Sequence, residues 1–180
     1  MVELEREKTY LLKRLPKDLQ NCKSEVIRDF FVPASAEHPI LRLRQRGDHY
    51  EITKKQPLNE GDASKQEEHT IQLTKSEFEA LTTGETKQFS KRRYYCNIES
   101  AKAEVDIYLD ALQGLAVVDF EFGSDKDFQA FTDPSICLAD VTQEEGLAGG
   151  ILAGKSYKDL KPVLDKYNYK PLAFEVGYEV

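Results

Sequence analysis

Residues 40–55 read ILRLRQRGDHYEITKK, two alternating runs about a Gly47-Asp48 turn. Residues two apart in a strand share a face. Leu41 and Leu43 therefore oppose Arg42, Arg44 and Arg46, and Tyr50 and Ile52 oppose Glu51, Thr53 and Lys55. So short a connection makes the two strands antiparallel. The same alternation recurs on either side. Glu5 and Glu7 sit in ELEREKTYLL, and Lys91 and Arg93 share a face in FSKRRYY. Glu68 and Thr70 oppose Ile71 and Leu73 in QEEHTIQL. Glu104, Asp106 and Tyr108 oppose Val105, Ile107 and Leu109, and Asp119 and Glu121 oppose Val118, Phe120 and Phe122.

An antiparallel sheet with one wet face also alternates, but its charges are scattered in sign. Here they come as like-signed pairs two apart, which repel unless something of opposite sign lies between them. Carboxylate pairs suit hard divalent cations such as Mg²⁺ or Mn²⁺, and arginine pairs suit phosphate through bidentate forks. If the charged faces line one lumen, eight acids (Glu5, Glu7, Glu51, Glu68, Glu104, Asp106, Asp119, Glu121) share it with five bases (Arg42, Arg44, Lys55, Lys91, Arg93). That many carboxylates cannot all ionise without bound cations or raised pKa values. The apolar faces then look outward and need cover.

Eight strands are expected near residues 2–12, 25–32, 39–46, 48–56, 66–73, 87–97, 101–110 and 115–123, with a turn at Asn59-Glu60-Gly61-Asp62. Antiparallel strands in this number resolve their exposed edges by closing into a barrel. Thr74-Lys75-Ser76-Glu77 is a capping box that opens a helix stopped at Gly84. Further helices open at Ser124, Thr142 and Ser156. The Gly149-Gly150 pair weakens or bends the third of these four, and Pro162 lies within the last. Their Phe, Leu and Tyr stripes are packing surfaces that can supply the outer cover. The tail YKPLAFEVGYEV alternates weakly. The fold class is thus α+β and mostly antiparallel β: a closed eight-stranded, tunnel-like barrel with a hydrophilic interior and helices packed outside. It is read as one domain over residues 1–180, with the barrel at about 2–123 and a C-terminal helical segment at about 124–170.

Composition narrows the function. The chain of 180 residues has 25 basic and 32 acidic side chains and a net charge of −7, so no broad nucleic-acid surface is expected. No apolar run approaches the roughly 20 residues that span a bilayer, and MVELEREK lacks a signal-peptide apolar region. Cys22, Cys96 and Cys137 have no metal spacing and are expected as reduced thiols in a cytoplasmic protein. His38, His49 and His69 have no ligand spacing, and Walker A, Gly-x-Ser-x-Gly and dinucleotide fingerprints are absent.

Together these strands resemble the CYTH superfamily, the triphosphate tunnel metalloenzymes, over roughly residues 3 to 155. EREKTYLL resembles the family's first strand, whose hallmark is Glu-x-Glu-x-Lys, with Glu5 and Glu7 as the glutamates. LRLRQ with Arg42 and Arg44 is similar to the phosphate-binding strand, EITKK to the Thr-x-Lys strand through Thr53 and Lys55, and KRRYY to a second basic strand. Glu68 resembles a retained acid of the fifth strand, and AEVDIY and VDFEF supply Glu104, Asp106, Asp119 and Glu121. The hallmark lysine is replaced by Thr9. Lys8 lies on the other face unless a bulge re-aims it.

The resemblance implies metal-dependent hydrolysis of a triphosphate: inorganic tripolyphosphate, thiamine triphosphate or a nucleoside triphosphate. Glu5, Glu7, Glu104, Asp106, Asp119 and Glu121 are then the metal ligands for Mg²⁺ or Mn²⁺. Arg42, Arg44, Lys55, Lys91 and Arg93 bind substrate, and Glu7, Thr9, Lys55 and Arg93 are the catalytic set. Glu51, Thr53 and Glu68 complete the lumen. The alternatives are an adenylyl cyclase and a triphosphate-binding or sensing module with little turnover because the lysine is lost. A small-molecule triphosphate is the expected partner, no membrane is, and a homodimer is an oligomeric state to test.

Overall fold

The computed structural model describes residues 2–59 and 61–173. The strands are β1 (Val2–Leu12), β2 (Lys23–Val32), β3 (Leu41–Arg46), β4 (His49–Pro57), β5 (Lys65–Leu73), β6 (Lys87–Ile98), β7 (Ala101–Tyr108), β8 (Ala116–Glu121) and β9 (Cys137–Asp140). The helices are α1 (Lys75–Thr82), α2 (Asp125–Ala130), α3 (Gly149–Leu152) and α4 (Lys161–Lys166). Two antiparallel meanders, β2 to β5 and β6 to β8, join through the β2–β6 pairing. β1 closes the ring by pairing with β8 on one edge and with β5 on the other. Beyond Arg6 its second edge passes from β5 to β9. Glu7 N donates to the Ser64 carbonyl at 3.0 Å, Val141 N to the Thr9 carbonyl at 2.8 Å, and Tyr10 pairs with Asp140. Eight strands thus make the closed antiparallel barrel and β9 is a short addition.

The sheet is inside out. On the outer face of β1, β6, β7 and β8, Tyr10, Leu12, Tyr94, Val105, Ile107, Val118 and Phe120 form a buried cluster with Leu19 and Ile136. Phe131, just past α2, covers it, with ring centroids 4.8 Å from Phe120 and 5.0 Å from Phe122. A second outer cluster, Leu43 and Tyr50 with Phe30, Ile52 and Leu73 beside them, receives Phe78 of α1. The expected capping box starts that helix: Glu77 N donates to Thr74 Oγ1, and Thr74 N donates back to the Glu77 carboxylate.

The C-terminal helices take a different place from the one expected. They close one end of the barrel rather than covering a wall. Leu11, Phe31, Phe89, Tyr108 and Val117 lie on the inward faces of their strands and pack with Leu152, Leu160, Leu164 and Tyr169. The expected helix from Thr142 is broken into a 3-10 turn at 145–147 and α3, with Ala148 extended between them. Close approach explains the glycines there. A Cβ on Gly149 would lie 3.1 Å from the Phe31 ring, and one on Gly150 would lie 2.2 Å from the Pro39 carbonyl oxygen. The last helix begins as a 3-10 turn at 157–160 and continues as α4 with Pro162 in its first turn, so no kink arises.

Two further expectations change. Cys22 and Cys96 are disulfide-bonded, with Cα atoms 5.5 Å apart, and Cys137 is free. Lys23 pairs with Tyr95 across β2 and β6, so the next residues outward are brought face to face. β9 is a strand that the sequence reading lacked, four residues in a connector. Glu60 of the expected turn, and the tail from residue 174, lie outside the described residues. No helix among the described residues is long and apolar enough to cross a membrane.

Because the outer clusters are the true core, Phe120→Ala should cost ~3–5 kcal/mol, whereas Leu81→Ala, at a site 48% exposed on α1, should stay within ~0.5 kcal/mol. Urea unfolding of both variants checks this. Equal, small losses would mean that the cover over Phe120 is not packed.

Candidate active site

Every residue assigned to the lumen from the sequence lies on an inward strand face, because the registers place them opposite one another. Arg44 faces Glu51, Arg42 faces Thr53, Lys55 faces Glu68, Arg93 faces Asp106, Glu104 faces Asp119, and Glu7 faces Glu121. Thr9 also points inward and donates from Oγ1 to Asp119 Oδ1 at 2.7 Å. The register using Glu5, Glu7 and Thr9 is therefore the real one. No bulge re-aims Lys8, whose ammonium lies outside the barrel, 5.0 Å from the Phe128 ring centroid and 5.6 Å from that of Phe131.

The deeper wall is basic. Asp106, 0% exposed, accepts from Lys91 Nζ and takes a fork from Arg93, Nε to Oδ1 at 2.8 Å and Nη2 to Oδ2 at 2.6 Å. Arg93 also pairs with Glu104 and reaches Asp119 at 3.3 Å. Arg44 makes a second fork, Nε to Asp29 Oδ1 at 2.7 Å and Nη2 to Oδ2 at 2.8 Å. Arg46 pairs with Glu51 at 2.9 Å. Between these, the buried Nε of Arg42 has no hydrogen-bond partner among the described residues.

The facing wall is acidic about one lysine. Lys55 pairs with Glu5 and lies 3.4 Å from Glu68 and 4.0 Å from Glu7. Gln66 donates to Glu7 at 3.3 Å, and Thr70 to Glu68 at 2.7 Å. Thr53 and Thr70 share a hydrogen bond of 2.9 Å.

Enclosure and crowding set the protonation. Burial, against the pull of Lys55 and with the repulsion of Glu7 and Glu68, pushes Glu5 up to about 7. Burial, with Asp106 and Glu7 nearby, pushes Asp119 up to about 7 in spite of Arg93. Glu121 is raised by burial and by Glu104 and Glu7. Burial would also raise Asp106, but Arg93 and Lys91 overcome it and hold the group at about 2. Asp29 is likewise held well below the usual carboxylate range by Arg44, against its own burial. Burial and the neighbouring Arg44 lower Arg42.

Asp29, Glu25 and Tyr95 belong to the lumen and were not found from sequence, and Arg46, read onto the face of Arg42 and Arg44, joins it through Glu51. Tyr95 donates to Glu25 near the open end. On β2 the inward face runs Glu25, Ile27, Asp29, Phe31, a mixture that carries no paired-charge signal. Among the described residues, no three acidic, histidine or cysteine side chains converge closely enough to hold an ion.

No family model matches the chain. It is 30% identical over 155 residues to an inorganic triphosphatase of Nitrosomonas europaea, covering 85% of this chain and 97% of the relative. The chain belongs to the CYTH superfamily of triphosphate tunnel metalloenzymes. A crystal structure of the inorganic triphosphatase NE1496 superposes with a TM-score of 0.59 at 26% identity, over 84% of this chain and 95% of that one. HpAC1 from Hippeastrum, described as having a dominant triphosphatase activity, is 12% identical with a TM-score of 0.51, over 96% of this chain and 92% of that one, a likeness of fold alone.

A carboxyl whose pKa rises on folding holds its proton more tightly in the native state, so its contribution to stability falls as pH climbs from about 4 through about 7. Asp119 and Glu5 act this way. Asp106 acts oppositely: its contribution is present above the ordinary aspartate range and lost as pH falls toward about 2. In EDTA the protein should therefore lose thermal stability between about pH 4 and 7, and Asp119→Asn should flatten that loss. Parallel melting-temperature profiles for wild type and variant would contradict the assignment.

Proposed function

We propose that this chain is a divalent-metal-dependent triphosphatase that cleaves a phosphoric anhydride inside its barrel, inorganic tripolyphosphate being the substrate class the named relative points to. The observation that carries the reading is an anion-seeking wall within a closed barrel, in which Arg42 keeps a buried Nε without a partner among the described residues. A buried guanidinium nitrogen left open is costly unless a ligand completes it.

Arg42 anchors a phosphate oxygen in this scheme. Arg93 and Lys91, on β6 and so across β2 from Arg42, face the charge that spreads over the transferred phosphoryl group, and Lys55 faces it from the acidic wall. Arg44 is held by Asp29. The donor chemistry suits a hard cation: Glu5, Glu7, Glu121 and Asp119 offer only carboxylate oxygens, which would have to draw together around the ion, and burial pushes two of them up to about 7 in spite of Lys55 and Arg93. Glu104 is available beside Glu121 once Arg93 turns to substrate. Asp106, whose oxygens already accept from Lys91 and Arg93, is left out of the metal set we propose. Mg²⁺ or Mn²⁺, when bound, supplies charge neutralisation for the phosphates and acidity for a water. Thr9 fixes Asp119 through its hydroxyl. The compartment proposed is the cytoplasm, although the Cys22–Cys96 bond is at odds with a strongly reducing one.

A second reading is favoured by Thr9 itself. With an uncharged hydroxyl committed to Asp119 where the hallmark has lysine, the site is a triphosphate-binding module with slow turnover. Tight binding without phosphate release would decide for it.

Phosphate release from tripolyphosphate in Mg²⁺ or Mn²⁺ tests the main reading. Release should be abolished by EDTA and should fall at least ~100-fold in Glu7→Ala and in Arg42→Ala. A metal-loaded wild type that releases nothing from tripolyphosphate or from organic triphosphates overturns hydrolysis.

A further inference from the structure

Asp29 has no place in the scheme above except as a partner of Arg44, yet it is one of the most enclosed charges in the molecule at 1% exposure. It stands between Ile27 and Phe31 on the inward face of β2. Its two oxygens take Nε and Nη2 of Arg44, itself 7% exposed. The field of Asp29 also reaches Arg42 and Lys91. On the neighbouring strands Asp106 stands in the same relation to Lys91 and Arg93. The inner wall therefore sets five bases, Arg42, Arg44, Arg46, Lys91 and Arg93, against three buried carboxylates, Asp29, Glu51 and Asp106, and Glu51 is taken up by Arg46.

Stability alone is a poor reason for such a pair. Replacing a buried ion pair with apolar residues of similar size is often neutral or stabilising. Anion binding gives a better one. An arginine already forked to a carboxylate offers an incoming phosphate little net charge, and the phosphate must also approach that carboxylate. We infer that Asp29 is a charge-setting residue, which cancels Arg44 in the free protein so that the inner wall holds bare triphosphate weakly and accepts it well only in company with a divalent cation. This rests on the triphosphate reading and deepens it. The metal requirement is written partly into the basic wall, through Asp29, and not only into the carboxylates that would touch the ion. Asp29 does not touch the substrate; it acts through Arg44.

Calorimetric titration with tripolyphosphate, in EDTA and in Mg²⁺, tests this without relying on turnover. The wild type should bind at least ~100-fold more weakly in EDTA than in Mg²⁺. Asp29→Asn, nearly isosteric, should bind metal-free tripolyphosphate at least ~10-fold more tightly than wild type and change little in Mg²⁺. The double variant Asp29→Asn, Arg44→Met removes both charges and should return metal-free binding to the wild-type level, a reversal that a merely structural pair would not give. A folded Asp29→Asn protein whose metal-free binding is unchanged or weaker overturns the inference. If that variant does not fold, the wild type decides: metal-free binding within about threefold of the Mg²⁺ value overturns it, and the ~100-fold gap together with the double variant's wild-type affinity supports it. A wild type that takes up no tripolyphosphate even with Mg²⁺ overturns the functional reading and this inference with it, an outcome distinct from the failure of Asp29 alone.

Discussion

Charge enclosed by a closed barrel has to be answered by charge. Each ion withdrawn from water loses solvation that only close partners can replace, and most lumen residues here are matched in that way. Asp106 serves Lys91 and Arg93, Asp29 serves Arg44, Glu51 serves Arg46, and Lys55 serves Glu5 and Glu68. Two mismatches stand out among the described residues. One is the Arg42 nitrogen on the basic wall, and the other is the crowding of acids around Asp119 and Glu121, which raises even Glu5 against its partner Lys55. An anion completes the first and a cation completes the second, so the protein's own electrostatics describe what it is built to enclose.

Turning the polar faces inward moves the hydrophobic problem to the outside of the barrel. The solution differs from wall to wall. Phe131 and Ile136 cover the strands around Phe120, α1 lays Phe78 over Leu43 and Tyr50, and the C-terminal helices seal the end where Leu11, Phe31 and Phe89 replace the charges further along the same faces. That change of character along one face makes the lumen a pocket with a floor. It also fixes how far a ligand entering from the Glu25–Tyr95 end can go.

Much of this could be read in the residues. Arg42/Arg44, Lys91/Arg93 and Asp119/Glu121 are pairs whose spacing only a strand face explains, and they located their strands and the interior together. Thr74 to Glu77 marked its helix start because capping chemistry is local. What was missed depends on partners distant in sequence. Asp29 lies on a face of mixed character and becomes meaningful only opposite Arg44. Cys22 and Cys96 meet through the β2–β6 register, which local spacing does not encode. β9 is too short to announce itself and is held by β1. Gly149 and Gly150 weaken a helix on propensity grounds, but the reason for them is the nearness of Phe31 and Pro39.

β1 is flanked by β8 along one edge and by β5 and then β9 along the other. It is synthesised before every one of these neighbours, and its last partner includes Asp140. The emerging polypeptide must therefore carry an unpaired, highly charged strand (Glu5, Arg6, Glu7 and Lys8 in succession) while the meanders β2 to β5 and β6 to β8 assemble behind it, and the ring can shut only late. So delayed a closure exposes the strand to misassembly during translation. The run of charges from Glu5 to Lys8 then has a second use, since charged residues on an open strand edge disfavour the docking of neighbouring nascent chains.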